Sequence, residues 1–248
     1  MERFAQTTAG RQRWDPHTCI PRHRHDHAYA ALVLAGSYEE CGSRGRFRVG
    51  AGDVLLHDPF DAHLDRFTAS GAQILNLPLE SFATGPRLGR VADADAIARL
   101  AERDVAHAHA LLCAELRPIE CIHDDWPALL AEDLLGNPDW LLGEWARDHA
   151  LATATVSRGF GKVFGLTPAQ FRREARARRA LTLLSAGEEP LAAVAAAAGF
   201  ADQAHMSRAI RALTGRPPGD WRRSNRFKTA GARDRPNPMH DGHGCRIT

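Results

Sequence analysis

Four histidines near the N-terminus have the spacing of a metal-binding group. His23, His25 and His27 alternate in residues 23–27, and His63 follows in a later segment. On a β-strand alternate side chains share one face, so the three neighbouring imidazoles are expected to converge. Neutral imidazole binds zinc, nickel and similar divalent ions. The sequence therefore predicts a site formed by His63 with either His23 and His25 or His25 and His27.

A second group of chemically capable side chains lies on two C-terminal segments of helical period. Apolar residues recur on one side of each segment, which leaves polar, Arg-bearing faces outward. Arg can form two hydrogen bonds to guanine and Gln can form two to adenine, so these faces predict contact with double-stranded DNA. The outward residues are Thr155, Ser157, Arg158 and Lys162 in the first segment and Gln203, His205, Ser207, Arg208 and Arg211 in the second.

The distribution of charge places a polyanionic partner in the same region. Residues 138–228 contain 15 Lys and Arg against 8 Asp and Glu, whereas the rest of the chain contains 17 against 22. A basic segment of this kind favours nucleic-acid binding, although charge alone equally fits a solvated basic surface.

The cellular compartment follows from the cysteines and the apolar runs. The five cysteines are scattered and form no CxxC pair, which favours free thiols in a reducing cytosol. The first ten residues lack the apolar run of a signal peptide, and no stretch approaches the roughly 20 apolar residues of a membrane span. We expect a cytoplasmic protein with no membrane partner.

The histidines belong to a region of short apolar runs separated by Gly, Pro and Asp. Runs at 31–34, 47–49, 54–56 and 74–77 predict short strands of an antiparallel sandwich or barrel, the first strand stopping at Gly36. Residues 93–116 have helical period, with Asp104 on the apolar face, and a second helix is predicted at 126–135 with Asp125 as N-cap. These helices form either a dimerisation face or a surface that packs on its own domain.

The outward polar faces belong to two repeats of one design. Helices are predicted at 141–149 and 154–164, and again at 191–198 and 203–213, with a joining helix at 168–185. Each pair is a helix, a tight turn and a second helix with an exposed polar face, which is how a helix-turn-helix presents a recognition helix to the major groove.

This block closely resembles the AraC/XylS family over about 90 residues. The segments that carry the resemblance are FGLTPAQF, RRALTLL, LAAVA, GFADQAHMSR and LTGRPP, at 164–171, 178–184, 191–195, 199–208 and 213–218. The resemblance implies two helix-turn-helix motifs that read successive major-groove faces of one DNA site. By position it implies the base-reading residues Ala154, Ser157 and Arg158 in the first motif and Gln203, Ala204, His205 and Arg208 in the second.

The N-terminal region resembles the cupins over residues 20–80. The alternating histidines and the later Gly52-Asp53, Pro59 and His63 are similar to the two cupin motifs. The glutamate that usually follows the first motif in metal-binding cupins is missing, since residues 29–31 read Tyr-Ala-Ala. Three interpretations stay open: a divalent metal such as zinc or nickel, an organic effector pocket without metal, and no ligand.

Together these features predict an α+β multidomain protein that is not an enzyme. We expect an N-terminal antiparallel β-barrel of the cupin (double-stranded β-helix) type at 1–85, a helical connector at 86–136, an all-α double helix-turn-helix domain at 137–228 and a disordered tail at 229–248. The predicted function is a sequence-specific transcription regulator, controlled by a small molecule or metal and able to form a homodimer. The alternative is a metal-dependent cupin enzyme fused to a DNA-binding domain. The tail residues His240, His243 and Cys245 are interpreted as incidental.

Overall fold

A computed structural model describes residues 10–79, 87–120 and 125–222. The chain divides into two compact units, residues 1–177 and residues 178–248. The first unit combines an antiparallel sheet with a group of helices, and the second is helical in its described part. The predicted tail, its two histidines and Cys245 lie outside the described residues.

The sheet of the first unit contains eight described strands, and all their pairings are antiparallel. In chain order they are β1 (Gly10–Trp14), β2 (Cys19–Arg24), β3 (Tyr29–Gly42), β4 (Gly45–Gly50), β5 (Asp53–His57), β6 (Ala62–Pro78), β7 (Leu88–Arg90) and β8 (Arg117–Pro118).

The long strands β3 and β6 link two sets of pairings. The first half of β3 lies between β5 and the second half of β6, and the second half of β3 lies between β4 and the first half of β6. The outer strands β1 and β2 pair with the second and first halves of β6 respectively. Buried side chains from both sets, such as Tyr29, Tyr38 and Phe67, form one core cluster, so the two sets pack face to face.

This arrangement confirms the predicted antiparallel β-architecture. Among the described strands the pairing path runs β1-β6-β3-β5-β7-β8 and does not close into a ring. The strands β7 and β8, which lie in the predicted connector, extend this path beyond β5.

Strand β3 continues through Gly36, where the sequence predicts that it ends. Gly36 has φ +74°, and a Cβ atom there would lie only 2.1 Å from the backbone oxygen of Gly71 on β6. Only glycine allows this close approach of two backbones in a left-handed conformation. Register shifts flank the position, so the glycine bends the strand between its two sets of pairings instead of ending it.

The predicted helix at 93–116 is two helices, α1 (Ala94–Ala101) and α2 (Val105–Glu115). Asp104 is the reason, because its Oδ1 accepts a hydrogen bond from the backbone N–H of His107 at 3.0 Å and thereby N-caps α2. The prediction that Asp104 lies on a continuous apolar face is wrong. Both helices pack on the sheet through a cluster that includes Ile97, Leu112 and Leu75.

The next helices agree closely with the predicted ones. They are α3 (Trp126–Gly136), α4 (Leu142–Asp148), α5 (Thr153–Phe164) and α6 (Pro168–Ala186). Asp125 N-caps α3 as predicted, accepting from the N–H of Ala128 at 3.2 Å. The helices α3, α4 and α5 share one buried cluster with Leu64 and Cys41 of the sheet.

In the second unit, α7 (Leu191–Ala197) and α8 (Gln203–Thr214) follow the last residues of α6. Asp202 N-caps α8 through a 2.6 Å hydrogen bond from the N–H of His205, and Gly215 ends it with φ +75°. No helix in the described part of the chain has the length and apolar character to cross a membrane.

Candidate functional site

A cavity of about 480 Å³ opens between the two sets of strands. Strands β1, β2, β3, β5 and β6 all contribute to its wall. Part of the wall is apolar or aromatic, including Trp14, Phe67 and Ile74, and part is ionisable. A volume of this size is within the range of small-molecule sites, and the many polar and ionisable groups in the wall suit a polar or charged ligand.

Three of the four predicted histidines meet in this cavity. One ligand nitrogen from each of His23, His25 and His63 lies within 4.8 Å of the others. The β2–β6 register places His23 directly opposite His63, with ring centroids 4.3 Å apart. His25 follows the end of β2, so its position depends on the turn after the strand and not on strand alternation.

The neutral forms of His23 and His63 are favoured, as metal binding requires. Burial lowers the pKa of His23, against a smaller opposing effect of its hydrogen bond to the Pro21 carbonyl. That bond, 3.0 Å from Nδ1, assigns the proton to Nδ1 and leaves Nε2 as a ligand atom. Burial, followed by the neighbouring histidines, holds the pKa of His63 well below its usual range.

His27 does not join either group of ligand atoms found among the described residues. Its Nδ1 lies 2.9 Å from Oδ1 of the adjacent Asp26, and its side chain is 38% exposed. Of the two predicted ligand sets, the geometry therefore assembles the one with His23, His25 and His63.

A second group of ligand atoms shares His63 and was not predicted. One ligand atom from each of Glu40, His57 and His63 lies within 4.8 Å of the others, and all three side chains are buried. Asp65 lies next to this group, with Oδ2 3.9 Å from His63 Nε2. Burial, followed by repulsion from Asp65, raises the pKa of Glu40 well above its usual range. Burial likewise raises the pKa of Asp65 to about 8 and lowers that of His57 to about 3.

The strands that line the cavity also bind the C-terminal end of α5. The guanidinium of Arg22, on β2, donates to the carbonyl of Phe164 at 3.3 Å and to Glu174 at 2.7 Å. Arg66, on β6, donates to the carbonyls of Lys162 at 2.7 Å and Val163 at 3.1 Å. The last carbonyls of a helix lack intrahelical donors and carry partial negative charge, so arginine stabilises them.

Helix α5 carries the predicted base-reading residues of the first motif. Ala154, Thr155, Arg158 and Lys162 are exposed and Ser157 is partly exposed, whereas Val156, Phe160 and Phe164 are buried. The exposed residues follow the three-to-four-residue period of one helix face. This side of α5 is therefore available to contact DNA.

Helix α8 presents the corresponding face of the second motif. Gln203, Ala204, Arg208 and Arg211 are exposed, and His205 is partly buried against the ring of Phe200. Met206, Ile210 and Leu213 are buried, as their inward spacing predicts. Contact of the five candidate residues on α5 and the five on α8 with bases or phosphates stays a prediction.

The arginines of α6 differ in their availability to phosphate. Arg172 donates to the carbonyl of Trp140 at 2.8 Å, Arg176 pairs with Asp139, and Arg178 is buried. Arg173 and Arg179 are exposed. Arg173 and Arg179 are therefore the arginines of this helix whose side chains are available to contact a phosphate.

Comparison with known proteins identifies the C-terminal block. Residues 145–224, about a third of the chain, match the family model described as a helix-turn-helix domain. These residues include most of the segments that carry the AraC/XylS resemblance. No curated protein sequence matches the chain.

Several solved structures are similar at low identity. Unsaturated fatty acid-bound ToxT from Vibrio cholerae is 10% identical over 86% of this chain and 93% of that one, with a TM-score of 0.40. The DNA-binding domain of AdpA, in complex with a target DNA, is 21% identical over 43% of this chain and 98% of that one, with a TM-score of 0.40. A probable AraC family regulator from Rhodopseudomonas palustris is 20% identical over 39% and 93% respectively, with a TM-score of 0.37.

Proposed function

We propose that the chain is a transcription regulator that binds a specific double-stranded DNA sequence, because residues 145–224 match a helix-turn-helix domain model and the same block resembles the AraC/XylS family. The observation that carries the proposal is the repeated design of α4–α5 and α7–α8. Each second helix buries its apolar side and exposes a polar, Arg-bearing side. This is the presentation that major-groove recognition requires.

In this proposal α5 and α8 are the two recognition helices. Arg158 and Arg208 are the side chains best suited to bind guanine, and Gln203 is suited to bind adenine. Ala154 and Ala204 offer only a methyl group, which fits contact with a thymine methyl. Lys162 and Arg211, further along each helix, are assigned to phosphate or base contact.

The DNA-binding proposal is tested by selection from a library of random duplexes with the purified full-length chain. One enriched motif is expected, with two contacted segments about one helical turn, roughly 10 base pairs, apart. A matched selection with the Arg158→Ala and Arg208→Ala double variant should lose enrichment at the contacted positions. Failure of the wild-type chain to enrich any sequence would refute the proposal.

We further propose that a ligand in the sheet cavity controls DNA binding. The ligand would contact His23, His25 and His63, either as a divalent ion such as zinc or nickel or as an organic molecule that hydrogen-bonds to them. Arg22 supports this coupling because it lines the cavity and also binds the end of α5 and Glu174. A ligand that moves β2 would therefore act on the recognition helix α5 through the Arg22 contact with Phe164, and on α6 through the contact with Glu174.

Control is tested by measuring affinity for the selected duplex with zinc, with nickel and after chelation, and with compounds from a thermal-shift screen. A typical coupling free energy of about 1–3 kcal/mol would change the affinity roughly 5- to 150-fold. His23→Asn should abolish the response, whereas His27→Asn is the matched control. If no ligand that stabilises the protein changes its DNA affinity, control through this cavity is wrong.

A further inference from the structure

We propose that Glu40, His57 and His63 bind a first-row divalent transition-metal ion, at a site that shares His63 with the histidine group described above but uses neither His23 nor His25. Metal binding at this site can be measured without DNA, so its failure is distinguishable from a failure of the proposed regulator function. Two histidines and one carboxylate form a donor set that suits zinc and ferrous iron.

The geometry of the three side chains fits a common ion. They come from three different strands, with Glu40 on β3, His57 at the end of β5 and His63 near the start of β6. Their ligand atoms lie within 4.8 Å of one another, and Glu40 Oε2 lies 3.5 Å from His57 Nε2. Ligands about 2 Å from a common ion are separated by roughly 3–4 Å. The 3.5 Å pair already fits this range, and the 4.8 Å limit on the others leaves only a small inward movement of the side chains.

Several buried polar atoms in and beside the Glu40–His57–His63 group have no hydrogen-bond partner among the described residues. They include His57 Nε2, His63 Nδ1 and Asp65 Oδ1. His57 and His63 are each only 4% exposed. Buried polar atoms without partners are rare and costly. A metal ion coordinated by the two imidazoles would satisfy both nitrogens at once.

A cation would stabilise the ionised form of the two buried carboxyl groups at this site. Glu40 and Asp65 are 5% and 6% exposed, and in the described part of the chain their ion pairs are with histidines alone, His57 at 3.5 Å and His63 at 3.9 Å. Two carboxyl groups buried together without a fixed cation are unfavourable when ionised. A divalent ion supplies the missing positive charge, and this distinguishes the group from the all-histidine set.

The surroundings orient the ligands as in known metal centres. The ring of His57 stacks on Tyr29 with centroids 4.3 Å apart, which fixes the plane of the imidazole. His63 Nε2 faces the Tyr29 hydroxyl at 3.4 Å and the Asp65 carboxyl, which leaves Nδ1 for the ion. A carboxylate behind a ligating histidine is the common outer-shell partner of such sites.

An ion held in this way keeps open coordination positions on a cavity large enough for a small molecule. Three protein ligands with a free position are typical of sites that also bind an exogenous ligand. His23 and His25 line the same cavity, where they would contact an acidic group of that molecule. The ion would then anchor an organic ligand instead of replacing it.

The test uses the purified full-length chain, stripped with a chelator and titrated separately with Zn²⁺ and, without oxygen, with Fe²⁺. Co²⁺ serves as the spectroscopic probe. One ion per chain is expected for at least one of the two metals. Loss of an outer-shell partner already lowers metal affinity 10- to 100-fold, so Glu40→Gln and His57→Asn should each weaken binding by at least about 100-fold. His27→Asn is the matched control and should bind as the wild type does.

Folding and metal binding are separated by circular dichroism and by the metal-induced rise in Tm. The ion should raise the Tm of the wild type and of His27→Asn but not that of Glu40→Gln or His57→Asn. Absence of a stoichiometric ion, or binding lost in His23→Asn and unchanged in Glu40→Gln and His57→Asn, would overturn the proposal. DNA affinity measured on the same samples reports separately on the proposed regulator function.

Discussion

Replacement of Arg22 by alanine is the most informative test of the link between the cavity and α5. The substitution removes the 2.7 Å ion pair with Glu174 and the hydrogen bonds to the Phe164 carbonyl and Ser43 Oγ, both 3.3 Å. The side chains of Arg22 and Glu174 are only 7% and 16% exposed. We therefore expect a loss of stability well above that of a surface ion pair.

The size of the stability loss depends on the surroundings of the Glu174 carboxylate once Arg22 is removed. Removing one partner of a buried ion pair typically costs about 3–5 kcal/mol. Arg24 Nη2 stays 3.6 Å from Glu174, and Glu174 keeps some access to solvent, so part of the cost is avoided. We expect Arg22→Ala to lower the free energy of unfolding by about 2–3 kcal/mol.

Urea unfolding monitored by tryptophan fluorescence is the assay, because four of the five tryptophans belong to the first unit. Arg48→Ala is the matched control, since Arg48 is 68% exposed and pairs with Glu39 at 3.4 Å. Exposed pairs of this kind contribute about 0–1 kcal/mol. A double-mutant cycle with Glu174→Gln isolates the pair itself. Equal losses in Arg22→Ala and Arg48→Ala, together with additivity in the cycle, would refute the reasoning.

Changes at single sites test three other features of the molecule. Arg208→Ala should cost roughly 1–3 kcal/mol of specific DNA binding by fluorescence anisotropy, and an equal loss on unrelated duplexes would mark a phosphate contact instead. Gly165→Ala should lower the Tm because φ is +70°, whereas Gly143→Ala, inside α4 with open space around it, should raise it. Cys41 is buried with its pKa raised to about 12, mainly by burial, so peptide mapping after alkylation of the native protein at pH 8 should find Cys19 modified and Cys41 intact. Alkylation of Cys41 at a rate similar to that of Cys19 would contradict this last prediction.

The C-terminal helices were predictable because their signals are local. Apolar spacing of three and four residues predicted α5 and α8 to within a residue or two, and Pro168 marks the first residue of α6. The break between α1 and α2 was missed because the helical period continues across it. An N-capping aspartate inside a periodic stretch, Asp104, was the available signal.

The two overlapping groups of candidate metal ligands were only partly predictable because both depend on long-range strand register. His23 and His63 share a site since β2 and β6 pair at those residues, and a histidine motif was enough to suggest it. Glu40 joins the second group, with His57 and His63, only because β3 continues past Gly36 and pairs with β6 opposite Asp65. Alternation with Tyr38, which also lines the cavity, is the signal that was available for Glu40.

The measurement that tests the central claim most directly is the ratio of specific to non-specific DNA affinity of the full-length chain. Anisotropy with duplexes from the region upstream of its own gene, competed with unrelated DNA at several salt concentrations, supplies it. The regulator account predicts one upstream segment bound at least about 10³-fold more tightly than unrelated DNA, with log affinity falling linearly with log salt. A ratio near one for every upstream segment would contradict it.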